Sequence, residues 1–153
     1  MRRRVIALVA VLLVVASAVW YGHAPPRSAQ AYQSRAEETA EALRSQARAA
    51  ELWVRAAAAG TVTRQAATVA IEDAESDARA TASRFDRWDP PPELASTRTE
   101  LTSTGAELVE TLTRLRVATH ERRWEDLPEV AGGLGPLADR LTGDLTALRR
   151  GLR

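Results

Sequence analysis

Small residues at helical spacing constrain this chain more than any other feature it carries. Ala36, Ala40, Leu43, Ala47, Ala50, Val54 and Ala57 recur at intervals of four and three, which places them along one face of a helix. An alanine face buries little area by itself, but it lets a neighbouring helix come close. Large side chains from elsewhere must then close the core, and they are unevenly spread. From Tyr32 onward there are 25 Leu, Ile, Val, Phe and Trp residues, of which 18 lie between Phe85 and Leu152. Strand formers are scarce, so the expected fold class is all-α.

A helical pattern starts near Ser28 to Tyr32, and the alanines predict a first helix over about 32–59, with Arg48, Glu51 and Arg55 paired on its outer faces at i,i+3 and i,i+4. Ala67, Ala70, Ile71, Ala74, Ala78, Thr81 and Phe85 predict a second over 61–88. Gly60, Thr61 and Thr63 between them can end one helix and cap the next. A continuous rod of about 85 Å fits the same pattern. The stretch "WDPPPEL" is a firm break, with Pro92 suited to a first helical turn. A third helix over 92–120 carries Leu94, Leu101, Leu108 and Leu115 seven apart, a coiled-coil-type seam widened by Leu112. "WEDLPEVAGGLGP" then bends, with room for a helical turn around residues 124–130. A last helix over 136–152 presents Leu137, Leu141, Leu145, Leu148 and Leu152. The simplest arrangement is an antiparallel three- or four-helix bundle with long helices.

Three arginines, Arg2 to Arg4, precede an apolar run from Val5 to Tyr21. At 1.5 Å per residue it spans roughly 25 Å, the short end of what crosses a hydrocarbon core. A transmembrane helix is expected here, with Val5, Ile6, Leu8, Leu12, Leu13 and Val14 in lipid and Trp20 and Tyr21 at the outer headgroups. Its alternative is a signal peptide cleaved after Ala18 or after Ala31. The chain thus divides into an Arg start and anchor (1–22), a spacer with Pro25 and Pro26 (23–31) and an extracytoplasmic bundle (32–153). The expected location is the cell membrane, single-pass, with the N-terminus cytoplasmic. Cleavage would instead make the protein secreted.

Several activities are set aside. There is no cysteine, hence no disulfide, thiolate metal site or thiol nucleophile. All 21 basic residues are Arg. Residues 32–153 hold 17 of them against 20 acids, a balance of −3 that argues against nucleic acid. In "IEDAESDAR", Asp73 and Asp77 share a helix face, but the glycine turn and alternating ligands of a calcium loop are missing. The expected reading is a solvated face, with Glu75 and Arg79 paired at i,i+4. His120 reads as a helix-end cation. Trp53, Trp88 and Trp124 read as packing anchors, the last two plugging the ends of helix 92–120. Neither a cofactor nor an enzyme activity is expected. Two candidate binding features remain. The face of Ala36, Ala40, Leu43, Ala47, Ala50 and Val54 looks under-covered by the chain's own leucines and is the expected surface for a protein partner or a second copy. The row of Thr97, Thr104 and Thr111 is a candidate polar pocket, with carbonyls one turn earlier as the competing partners of its hydroxyls.

The succession of "MRRR", apolar run, "WYGHAPPRSAQAY", alanine-rich helix, "PPPEL" and leucine helix resembles small actinobacterial single-pass membrane proteins of unknown function. That resemblance implies a retained anchor and no activity. A looser likeness is to periplasmic four-helix sensor domains. The expected function is a membrane-anchored helical interaction or scaffold protein of the cell envelope. A ligand-binding, sensor-like bundle and a secreted helical factor are the alternatives.

Overall fold

Ser28 sets the start of the first helix. The computed structural model describes residues 28–151. The Ser28 hydroxyl accepts from the Ala31 N–H at 3.2 Å, satisfying one of the donors a helix start leaves open. Helix α1 then runs Ala29–Ala58. Residues 29–31, assigned above to the spacer, are its first turn, because the serine cap lies ahead of them. The anchor residues Val5, Ile6, Leu8, Leu12, Leu13, Val14, Trp20 and Tyr21 lie outside the described residues. Among the described residues no helix is long and apolar enough to cross a membrane.

The chain breaks at Gly60. Its φ is +67°, its N–H reaches the Ala57 carbonyl at 3.1 Å and the Thr61 N–H reaches Ala56 at 3.0 Å. This pair of bonds is the Schellman ending, which wants a left-handed residue. Thr63 then caps α2, Arg64–Phe85, by accepting from the Ala66 N–H. The continuous rod is therefore excluded. After the prolines, a 3-10 turn at Pro92–Leu94 leads into α3, Ala95–His120. Two further helices follow, the short α4 at Leu127–Ala131 and then α5 at Leu134–Gly151. Helix α5 starts two residues before Pro136. The first turn has N–H groups with no intrahelical partner, so proline costs nothing there.

The four long helices run alternately up and down. Phe85 at the end of α2 returns to Tyr32 near the start of α1, with ring centroids 5.6 Å apart. At the same end the Gln33 amide donates to the Leu148 carbonyl of α5. Helix α1 packs on α5 and α2, α3 packs on α2, and α3 and α5 close the ring. Trp88 and Trp124 pack against the core at opposite ends, under Arg35 and Arg64. Trp53 is half-buried.

The alanine stripe is not a free surface. Ala36, Ala40, Ala47 and Ala50 are 0% exposed, Leu43 is 1% and Val54 2%. They share one core with Leu101, Leu108, Leu112 and Leu115 of α3 and Leu134, Leu137, Leu141 and Leu145 of α5. This corrects the expectation of a partner face. The antiparallel return of α5 lays leucines along the small residues of α1, so the imbalance along the chain becomes complementarity across the bundle. Each buried leucine there contributes about 1.5–3 kcal/mol.

Candidate functional site

The acidic stretch of α2 yields one buried charge. Glu75 is 4% exposed, where a solvated residue was expected. Its Oε1 accepts the Thr113 hydroxyl at 2.8 Å and the Arg79 guanidinium at 2.5 Å, and its Oε2 accepts Arg116 Nε at 2.6 Å. Burial pushes this carboxyl up, but the hydrogen bonds from Thr113 and Arg116 and the charges of Arg116 and Arg79 outweigh it. The net effect holds Glu75 below its ordinary range, and therefore ionised. One turn along, His120 Nε2 meets Glu72 Oε1 at 2.7 Å, so the histidine at the end of α3 also bridges to α2. A carboxylate with both oxygens taken is a clamp between α2 and α3, not a proton-transfer group. Among the described residues no group of His, Asp and Glu is placed to hold a metal ion.

The threonine row divides. Thr111 is 2% exposed and its hydroxyl donates to the Glu107 carbonyl one turn earlier at 2.9 Å. Thr104 is also buried. Neither borders the gap near the end of the bundle. Thr97 does, so the expected row of three is corrected to a single position. The reason is height along the bundle: Thr104 and Thr111 stand roughly 10 and 21 Å further along α3 than Thr97, away from the gap near the bundle's end.

That gap is the candidate site. It is a cleft of about 160 Å³ between α1, α3 and α5, open to solvent past the exposed Glu100 and Ala147. Leu94, Leu101, Ala147 and Leu148 make its apolar wall, and Gln33, Thr97, Glu100 and Asp144 supply its polar groups. Among the described residues neither Glu100 nor Asp144 joins an ion pair, and the nearby Arg140 is paired with Glu107 instead. Burial pushes the Asp144 carboxyl up, the charge of Glu100 pushes it further, and Arg140 only partly opposes them. An apolar pocket with a few converging polar groups and a perturbed carboxyl is the usual form of a small-molecule site.

Gln33, Glu100 and Asp144 were not singled out from the sequence, although spacing carries a signal for two of them. Asp144 stands three residues after Leu141 and four before Leu148, and Gln33 stands three before Ala36. Each is a polar residue on an otherwise apolar stripe. Glu100 is brought in by the fold alone. No protein-family model, curated protein or solved structure matches the chain.

Proposed function

We propose that this chain is a membrane-anchored, outward-facing helical bundle that acts by binding, as a scaffold or accessory subunit of the cell envelope. The observation that carries the reading is the run from Val5 to Tyr21 behind Arg2, Arg3 and Arg4. Charged residues kept on the cytoplasmic side and aromatics at the outer headgroups orient such a segment. The Ser28 cap follows Tyr21 by seven residues, so the bundle begins close to the membrane. In that orientation the end bearing Trp88 and the tail of α5 faces the bilayer. The Gly60 turn and Trp124 face away. Partner contacts then belong to the outer helix surfaces, because the alanine face is occupied.

Fractionation of cells making the native protein, with an intact mass, tests this. The expected result is full-length chain in the membrane fraction, resistant to alkaline extraction and open to protease from outside. Chain found in the medium with a front end near Tyr32 would contradict the tether and favour a secreted helical factor. A second reading, a small-molecule-binding bundle, is favoured by the cavity that Thr97 borders.

A further inference from the structure

We propose that the cavity between α1, α3 and α5 is a binding site for a small amphipathic cation, an ammonium group carried on an apolar body of about benzene size. The inference rests on the small-molecule reading above and is independent of the tether. Volume sets the body: an apolar cavity of about 150 Å³ admits benzene, and this one holds about 160 Å³. Leu94, Leu101 and Leu148 supply its apolar contacts. Charge sets the head. Glu100, exposed at the rim, and the half-buried Asp144 place two carboxylates on one cleft, and among the described residues no cation pairs with either. The contrast with Glu75 is direct, since that carboxylate is already held by Arg79 and Arg116. Gln33 is 8% exposed and its amide nitrogen is committed to the Leu148 carbonyl, which ties α1 to α5 at the cleft.

The ligand's ammonium would supply what the site lacks. Burial and Glu100 push the Asp144 carboxyl up against the partial opposition of Arg140, and the positive charge of a cation seated beside it acts in the opposite direction. An anion of the same size meets two carboxylates and is repelled. A neutral analogue keeps the apolar contacts and loses the ion pairs.

The test titrates the full chain in a non-ionic detergent with benzylammonium, benzyl alcohol and benzoate at fixed ionic strength, following amide shifts by NMR. Expected is saturable binding of benzylammonium with shifts at Leu101 and Leu148, weaker by a factor of about ten or more for benzyl alcohol, and none for benzoate. Asp144→Asn should weaken benzylammonium by a similar factor while leaving benzyl alcohol unchanged, which also shows that the variant is folded. Glu100→Gln should weaken it less. Equal binding of benzylammonium and benzyl alcohol, or an Asp144→Asn variant that binds benzylammonium as the native chain does, would overturn the cation assignment alone. Absence of binding by all three probes would overturn both the assignment and the small-molecule reading.

Discussion

Glu75 carries the most informative single side chain in the bundle. Its acceptors are matched by Thr113, Arg116 and Arg79, so removing the charge leaves two guanidinium groups without their anion. Arg79 is 59% exposed on its side chain and its share is screened by water. Arg116, at 36%, loses more. Glu75→Gln should lower stability at neutral pH by about 1–3 kcal/mol. The folded carboxyl sits below its unfolded value. The native state therefore binds fewer protons than the unfolded chain in the window between the two. The contribution is fully present above the unfolded value of about 4.3 and is lost as the pH falls through the depressed folded value. Urea midpoints at neutral and acid pH check this: the gap between native chain and variant should narrow on acidification. A gap that is constant or widens contradicts the assignment. The sequence showed half of this site. Arg79 lies one turn away and was legible as an i,i+4 partner, whereas Thr113 and Arg116 lie 38 and 41 residues away and only the pairing of α2 with α3 brings them in.

At the scale of the helix, two endings share one geometry with different residues. Gly60 closes α1 at φ +67° and Arg122 closes α3 at φ +60°. Arg122 N–H reaches Thr119 at 3.1 Å and Arg123 N–H reaches Ala118 at 2.9 Å, the same pair of bonds as at Gly60. An L side chain in the left-handed region costs roughly 1–2 kcal/mol, which glycine avoids. Arg122→Gly should therefore raise the unfolding free energy by about 1 kcal/mol. A thermal melt that is unchanged or lowered would show that the Arg122 side chain compensates for its backbone. Helix positions were largely legible, since the apolar spacing and the prolines mark them. The boundaries were less so. Ser28 sits ahead of the alanine pattern, and Pro136 falls inside a first turn instead of opening it. The Gly60 break was open in the sequence because a single glycine allows both outcomes. Its positive φ and the Thr63 cap decide it.

The whole molecule turns on how unequal halves fit together. Helix α1 contributes small residues and α5 contributes leucines, and their antiparallel contact makes the alanine stripe an internal seam. The same logic extends to α3, where Gly105 lets Leu43 approach: a Cβ there would stand 3.3 Å from Leu43 Cδ1. The leucine seam of α3 was legible from its repeat, with Leu101, Leu108 and Leu115 buried. What the sequence concealed was the partner of the alanine face. Spacing describes one helix at a time, and an uncovered face looks the same whether its cover is another protein or residues ninety positions further on.

The alanine seam is tested most directly by Ala47→Glu in the full chain, read by far-UV circular dichroism during urea unfolding. A carboxylate at a position 0% exposed has no partner in the core and costs several kcal/mol. Loss of the cooperative helical transition, or a large drop in its midpoint, is the predicted result. Unchanged helicity and midpoint, with only self-association or partner binding lost, would contradict the internal seam and return that face to the surface.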